Sequence, residues 1–212
     1  MGSYTTLLAD IPAYAMNTET EFVANVPTMI SNAEARIYRD ANIPQLEAVA
    51  TGSLSSASAY LAMPTDLIAA RTFMIQVSSA WVSLVLINLG LGRLLYPGLA
   101  TQGTPGFFSI YDATRYILFP APDTNAPYSL AYRKRLAALS ASNTTNWFSE
   151  NFYDGLLAAC LCEAAVFVQD DRQESLTKLQ ETRYRNALSA LNAQATAGAE
   201  ADYNIPFGAA KE

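Results

Sequence analysis

Residues 152–168 read FYDGLLAACLCEAAVFV, a nearly continuous apolar run in which Glu163 is the only charge after Asp154. This run belongs to a segment whose pattern becomes helical from Asn146 onward. A helix that is apolar on all sides has to be buried between other elements. We therefore expect this helix to be enclosed by other parts of the molecule.

A second helix is predicted to follow the apolar one. Asp171 and Glu174 form the aspartate version of a capping box at its start. The helix carries an apolar stripe on one side and i,i+4 ion pairs on the other. The stripe consists of Leu176, Leu179, Tyr184, Ala187, Leu188 and Leu191, and the pairs are Glu174–Lys178 and Glu181–Arg185. We expect the two helices to form an antiparallel hairpin that turns near Gln169-Asp170.

The first part of the chain is also predicted to be helical. Thr18-Glu19-Thr20-Glu21 has the pattern of a capping box that starts a helix. Pro27 fits poorly inside a helix but suits a first helical position, so we expect a break there and a new helix from Pro27 to about Asp40. The apolar face of this helix consists of Ile30, Ala33, Ile37 and Tyr38.

Residues 45–135 have a different pattern, in which β-branched and aromatic runs alternate with Gly, Pro and Asn. We predict a hairpin turn at Asp112-Ala113 and a loop that opens at Pro120-Ala121-Pro122-Asp123. A short helical turn is expected at Leu91–Leu95. The predicted strands are Gln45–Val49, Ser58–Ala62, Ala70–Val77, Trp81–Ile87, Phe107–Tyr111, Tyr116–Phe119 and Tyr128–Arg133. In the last of them, Tyr128, Leu130 and Tyr132 share one face.

Together these elements predict an α+β fold. A helical bundle would be built from N-terminal helices (residues 1–44) and a C-terminal helix hairpin (residues 136–195). An antiparallel β region (residues 45–135) would be inserted between them, and an extended tail (residues 196–212) would follow. The tail is expected because the chain becomes rich in Ala, Gly and Thr after Ala193.

The composition argues against an enzyme, a cofactor and a metal site. The chain has no histidine, which removes Ser-His and Cys-His nucleophile activation and His-based metal centres. Cys160 and Cys162 stand two apart in a helix, so they point away from each other and are read as small buried residues. The paired carboxylates Glu19/Glu21 and Asp170/Asp171 fall at helix starts, where capping explains them.

The net charge and the hydropathy of the chain indicate whether nucleic acid or a membrane is an expected partner. The formal net charge is −6 and the pI about 4.7, and no basic stripe of the kind that grips nucleic acid is visible. The most apolar stretch, Ala80–Leu91, is shorter than the roughly 20 residues that a membrane-spanning helix needs. The opening residues lack the basic start of a signal peptide. We expect a soluble protein without a membrane partner.

Two short segments are candidate contact sites. Arg133, Lys134 and Arg135 end a predicted strand, and they form either a solvated edge, a contact with an acidic neighbour or a contact with nucleic-acid backbone. The other segment is the end of the tail, which is either disordered or a peptide that orders on a partner. Its anchors would be Tyr203, Ile205, Pro206 and Phe207.

Three stretches, in this order and spacing, resemble phage head-to-tail adaptor proteins. The stretch Val26–Arg39 resembles the family's Pro-x-x-Ile-x-x-Ala-Glu-x-Arg-Ile-x-Arg helix. The stretches Met63–Leu67, Thr104–Phe108 and Phe119–Pro122 together resemble the family's β region. The stretch from Ser142 to Tyr184 is similar to its Asn-Trp lead, apolar helix, Asp-Asp turn and last helix. Residues 78–98 match poorly, and Glu150-Asn151-Phe152 departs from the usual lead into the apolar helix.

The resemblance implies a structural virion protein that is made in the cytoplasm of a bacterial host. Such adaptors form a ring, usually of twelve copies, under the portal protein; DNA passes through the ring and tail or nozzle proteins attach below. It further implies that the segment around Tyr203–Phe207 docks on the portal or a neighbour. Arg133–Arg135 would contact the tail side or another subunit. A tail or baseplate module that binds a receptor or sugar through its aromatic β region, and a hydrolase that uses carboxylates, are the alternatives.

Overall fold

The computed structural model describes residues 2–98, 101–168 and 173–203. The fold is mixed α+β, as predicted, and the chain forms two compact units. Met1–Gln45 and Leu136–Glu212 make up the helical unit, and Leu46–Arg135 the β unit. The described helices are α1 (Tyr4–Ala15), α2 (Thr20–Asp40), α3 (Leu89–Leu95), α4 (Trp147–Asn151), α5 (Tyr153–Val168) and α6 (Gln173–Tyr203), and a 3-10 turn covers Pro44–Leu46.

The apolar run of the sequence forms α5, which packs against α1, α2, α4 and α6. Leu156, Ala159 and Cys160 in its middle are fully buried, as the pattern predicts. The C-terminal end is less covered, because Val166 is 70% exposed and Phe167 43%. The burial of α5 is thus confirmed for its central turns only.

Helices α5 and α6 run antiparallel. The Cys162 sulfur of α5 lies 3.7 Å from a carboxylate oxygen of Glu181 on α6. Asp154, which precedes Cys162 by two turns, lies near Leu191, which follows Glu181 by almost three turns. Moving back along α5 therefore corresponds to moving forward along α6. The predicted turn at Gln169-Asp170 and the capping residue Asp171 lie outside the described residues.

The last helix is longer than the sequence pattern predicted. We expected an extended tail from residue 196, but α6 continues through Tyr203. Five of the eleven residues 193–203 are alanine, the strongest helix former, and this outweighs the single glycine at position 198. The predicted apolar stripe is confirmed at Tyr184, which is buried, and is wrong at Leu179, which is 47% exposed.

The predicted break at Pro27 is wrong, since α2 is one helix of 21 residues that contains this proline. Pro27 itself is exposed, while Phe22 and Val26 before it and Ile30 after it are buried along one face. The burial of this continuous face offsets the roughly 3 kcal/mol that an interior proline costs. The predicted apolar face from Ile30 to Tyr38 is confirmed.

The ends of the helices are capped differently from the prediction. Glu19 is the N-cap of α2 and makes no side-chain cap, so the predicted capping box at Thr18 is wrong. Helix α1, which the pattern did not predict, begins with a reciprocal capping box between Ser3 and Thr6. Asn146 and Ser149 form another at the start of α4, where the sequence predicted a helix start.

The β unit is built on a mixed sheet of seven strands in the order β1-β9-β3-β4-β6-β7-β2. The short strands β5 and β8 pair separately. The strands are β1 (Glu47–Ser53), β2 (Tyr60–Ala62), β3 (Leu67–Val77), β4 (Ala80–Leu86), β5 (Gln102–Gly103), β6 (Phe107–Ile110), β7 (Arg115–Phe119), β8 (Ala121–Pro122) and β9 (Pro127–Lys134). All seven predicted strands exist, but the expectation of a purely antiparallel region is wrong. Strand β4 pairs parallel with β6, and β5 parallel with β8.

The turns of the β unit follow from local chemistry. The β6–β7 hairpin turns at Asp112, as predicted; its carboxylate accepts hydrogen bonds from the Thr114 amide and from the Arg115 guanidinium. The β3–β4 hairpin turns through Ser78 and Ser79, with φ of 48° and 71°. Two-residue hairpin turns favour positive φ, because that backbone twist matches the twist of the strands.

One core lies on the inner face of the large sheet. Leu130 and Tyr132 of β9 are buried there with Phe73 and Ile75 of β3, and Tyr128 packs against them. The predicted face of the last strand is therefore confirmed. A second, smaller cluster forms around Ile117 and Phe119 of β7 and packs against Leu89 of α3.

Candidate functional site

The charged residues of the Pro27–Arg39 motif join α2 to α6. Arg36 donates from Nη2 to both carboxylate oxygens of Glu181, at 2.8 and 2.6 Å, and its guanidinium lies 4.4 Å from the ring centre of Tyr184. The Tyr184 hydroxyl donates to Asp40 at 2.7 Å. Arg185 adds the predicted i,i+4 bond to Glu181 at 2.7 Å. The members of this network bind one another, and its role is to hold two helices together.

Glu34, in the same motif, is a buried carboxylate with a structural role. It accepts hydrogen bonds from the Leu139 amide, at 3.2 and 3.4 Å, and from the Asn146 side-chain amide at 2.7 Å. A buried charge needs such donors to offset its lost hydration. Glu34 therefore attaches α2 to the segment that leads into α4.

The two thiols are structural residues, as predicted. Cys160 and Cys162 are free and buried. Burial raises the pKa of the Cys160 thiol, and burial followed by the nearby Glu181 raises the pKa of Cys162 to about 11. Because the thiolate is the reactive form, neither residue is suited to nucleophilic chemistry at neutral pH.

The three predicted basic residues do not form one exposed patch. Arg133 sits on an interior strand, paired with Glu47 on one side and Ala69 on the other, and burial together with Arg71 lowers the pKa of its guanidinium. Lys134 is likewise half-buried, and Arg135 alone of the three is exposed. The predicted solvated edge is therefore wrong, while a contact role for these residues stays a prediction.

The other predicted site lies at the end of the described chain. Tyr203 is the last residue of α6, and Ile205, Pro206 and Phe207 lie outside the described residues. Docking through these side chains stays a prediction.

The tyrosines of the β unit do not form an exposed binding face. Every tyrosine between residues 46 and 135 is buried or half-buried. Tyr60 and Tyr111 pack against each other with their rings tilted by 59° and their centres 4.8 Å apart, and Arg115 covers both rings at 5.2 and 5.3 Å. A receptor-binding module would need such rings exposed, so this geometry does not favour that alternative.

The β unit also exposes apolar side chains, at positions where the sequence pattern did not predict a surface. Strand β4 leads directly into α3, and this segment presents the β4–α3 surface: Trp81, Val85, Leu86, Leu91, Leu94 and Leu95. Their exposed fractions run from 45% to 77%. Trp81 and Val85 share one face of β4 and Leu86 points to the other, while the three leucines of α3 share one side of the helix. Exposed apolar side chains grouped in one segment are candidates for contact with another molecule.

The inner side of α3 packs against the core of the β unit. Gly92 is buried against Phe119, and a Cβ atom at this position would lie 2.3 Å from the Phe119 ring. Asn88 caps the helix by accepting from the Gly90 amide at 2.8 Å. Because its inner side touches the core directly, α3 is fixed with its leucines outward.

The helical unit has its own concave surface, the α5–α6 groove. It consists of two adjoining cavities of about 380 and about 340 Å3 that share Asp154 and Ala187. The charged side chains along it, Glu150, Asp154 and Arg183, are exposed. The apolar lining comes from Leu157, Ala158, Leu161, Ala187, Ala190 and Leu191. Small side chains on both helices leave room for an inserted apolar group.

Two further features are absent from the described residues. No group of three or more His, Cys, Asp or Glu side chains among them is placed to hold a metal ion. None of the described helices combines the length and the apolar character that crossing a membrane requires.

The family model of the SU10 adaptor protein matches residues 3–204, nearly the whole chain and both units. The chain belongs to the SU10 adaptor protein family. This membership confirms the resemblance to phage head-to-tail adaptors. An SU10 adaptor is a structural phage protein, which agrees with the prediction that the chain is not an enzyme and makes it a virion component. A search of curated proteins finds no match.

The resemblance motifs of this SU10 adaptor contain the Arg36–Glu181 and Glu34 contacts and part of the α5–α6 groove, but not the β4–α3 surface. The β4–α3 surface falls inside residues 78–98, where the motifs match poorly. One signal for it was available: residues 80–98 contain Arg93 as their single charge. From the pattern of this run we predicted a strand at Trp81–Ile87 and a helical turn at Leu91–Leu95, but no exposed surface.

Proposed function

We propose that this chain is a head-to-tail adaptor subunit that forms a twelve-membered ring between the portal and the tail or nozzle of a phage. The helical unit would be a bundle that forms the body of the ring. The protein would be made in the cytoplasm of a bacterial host and function in the neck of the virion. Membership of the SU10 adaptor protein family over residues 3–204 carries this proposal.

The exposed apolar surface supports an assembled state. Leu94 is 77% exposed and Val85 55%, on a segment with a single charge. Burial of apolar area stabilises association by roughly 25 cal/mol per Å2, so such a surface favours a bound neighbour. A free monomer would keep it in contact with water.

The acidic charge supports a channel that DNA can pass through. Each subunit carries a formal charge of −6, so a ring of them repels phosphates overall. Tight phosphate contacts would act as a brake on DNA that moves through the ring. A strongly basic inner wall in the assembled ring would contradict this part of the proposal.

The partners follow from the same proposal. The segment with Tyr203, Ile205, Pro206 and Phe207 would dock on the portal or a neighbour, and Arg133–Arg135 would contact the tail side or another subunit. DNA would be a transient passenger rather than a ligand.

Mass measurement of the purified chain, alone and mixed with the portal protein, tests the proposal. We expect a species of twelve times 22.9 kDa, or a complex of that stoichiometry with the portal. A matched control is the variant in which Tyr203, Ile205 and Phe207 are all changed to Ser, which should keep the ring and lose the portal. A chain that stays monomeric and ignores the portal contradicts the proposal.

A further inference from the structure

We propose that α3 of one copy inserts its leucines into the α5–α6 groove of a second copy, and that this contact joins neighbours around the ring. The inference rests on the proposed function for the existence of a ring. It goes further by naming the two surfaces that meet.

The inserted element has the side-chain spacing of a groove-binding helix. Leu91, Leu94 and Leu95 stand at positions i, i+3 and i+4 and are 45%, 77% and 52% exposed. Amphipathic helices that dock in grooves anchor through this pattern. The contact of Gly92 with Phe119 fixes an adjacent side of the helix, so little ordering is needed when it binds.

The groove offers matching space, and the apolar part of its lining lies mainly in the larger cavity. Leu157 and Leu161 line it from α5, and Ala187 and Leu191 from α6. Its two cavities lie at the lower end of the roughly 300–1,000 Å3 typical of ligand pockets, which suits a few leucine side chains better than a folded domain.

The charges of the two surfaces are complementary. Arg93 is the single charge of residues 80–98 and stands beside Leu94. Along the groove are two carboxylates, Glu150 and Asp154, and one guanidinium, Arg183, which gives a net negative wall. Opposite charges at the rim of an interface orient the partners and raise the rate of association.

A second copy of this chain is the occupant that fits both surfaces. A helix inserted in a groove joins two different patches, so each copy offers one patch to each neighbour. Contacts of this heterologous kind generate closed rings when their rotation closes. A two-fold dimer could exchange the two patches reciprocally, so the assembled mass, twelve copies against two, distinguishes the ring from the dimer.

Disulfide trapping between copies tests the contact directly. The variants Leu94→Cys and Leu157→Cys are purified separately, mixed and oxidised. We expect a covalent heterodimer on a non-reducing gel, and only monomer from the control mixture of Val49→Cys with Leu157→Cys, since Val49 is 63% exposed on β1 outside both surfaces. The native thiols do not interfere because Cys160 and Cys162 are buried.

Exchanging the charges of Arg93 and Asp154 provides a second test of the contact. Arg93→Glu and Asp154→Arg should each weaken assembly by roughly tenfold, and the double variant should recover most of the loss. Val49→Glu is the control for an exposed charge placed elsewhere and should assemble like the wild type.

The outcomes separate this inference from the proposed function. Rings that form without the cross-link and tolerate both single charge changes overturn the inference and leave the adaptor ring in place. A wild-type chain that stays monomeric, alone and with the portal, overturns both. A peptide of residues 203–212 that blocks the cross-link would assign the groove to the tail segment instead, and would also overturn the inference.

Discussion

Arg36 on α2 and Glu181 on α6 share two short contacts, in which Arg36 Nη2 donates at 2.8 Å to Oε1 and at 2.6 Å to Oε2. The two residues are 145 positions apart in the chain. Their side chains are only 22% and 26% exposed, so water screens the pair less than it screens a surface ion pair. Together with the hydrogen bond from Tyr184 to Asp40, this contact joins α2 to α6 within the helical unit.

Replacing Arg36 should destabilise the helical unit. We expect Arg36→Met to lower the free energy of unfolding by roughly 1.5–3 kcal/mol, because Glu181 would lose a charged donor in a half-buried position. Urea denaturation measures the change. The control is Arg71→Met, whose pair with Glu47 is 3.7 Å long and about half exposed, and it should cost less than about 1 kcal/mol. Equal losses of unfolding free energy in the two variants would show that the Arg36–Glu181 contact stabilises the protein no more than an exposed ion pair does.

The Arg36–Glu181 pair should also make the free energy of unfolding depend on pH in the acidic range. The hydrogen bond from Arg36, followed by that from Arg185, lowers the pKa of Glu181. A carboxylate whose folded pKa is lowered contributes stability that is complete above its unfolded pKa of about 4.3 and is lost as pH falls through the folded pKa. Glu181→Gln should therefore be less stable than the wild type at pH 7 and should lose less stability between pH 5 and 3. Thermal unfolding at several pH values measures this, and parallel curves for the two proteins would contradict it.

The thiols should resist alkylation in the folded protein. With the pKa of Cys162 raised to about 11, roughly one part in a thousand is thiolate at pH 8, and Cys160 is fully buried. We expect mass spectrometry to find little iodoacetamide adduct on native protein and two adducts in urea. Val49→Cys, at an exposed position, provides the fast-reacting control. Rapid native labelling of Cys160 would show that α5 opens readily.

Adding a methyl group at Gly92 should displace α3. The new Cβ would lie 2.3 Å from the buried Phe119 ring, so Gly92→Ala should cost roughly 1–3 kcal/mol and weaken assembly through the β4–α3 surface. Gly106→Ala in the same unit has open space around the added atom and should be neutral or slightly stabilising. Stability and assembled mass are measured for both. A Gly92→Ala protein as stable as Gly106→Ala would show that Phe119 can move aside.

The sequence predicted the features whose cause is local. Asp112 caps its own hairpin with bonds to residues two and three positions on, and the alternation in Tyr128–Tyr132 places Leu130 and Tyr132 inside the β unit. The antiparallel α5–α6 pair was predictable because an apolar helix and an amphipathic helix that follows it closely in the sequence have few ways to pack. The adaptor family was predictable because its motif spacing is kept over most of the chain.

The candidate docking surfaces could not be predicted in the same way. Leu94 and Ile75 are both aliphatic residues in apolar stretches, yet Leu94 is 77% exposed and Ile75 fully buried. Periodicity indicates which residues share a face, but it does not indicate whether anything covers that face. The leucines of α3 face outward because of tertiary contacts: β4 pairs with β6, and Gly92 packs against Phe119.

By itself, the sequence determined where seven of the strands lie, the face that β9 buries and the absence of histidine chemistry, because these depend on residues close together in the chain or on composition alone. The tertiary structure decided whether α2 continues through Pro27, which two of the strand pairs are parallel and which apolar residues stay exposed. Each of these is settled by contacts with residues far along the chain. The packing of α2 against α5 offsets the free-energy cost of a proline inside the helix. This packing energy depends on residues far apart in the chain, so the local sequence pattern does not predict it.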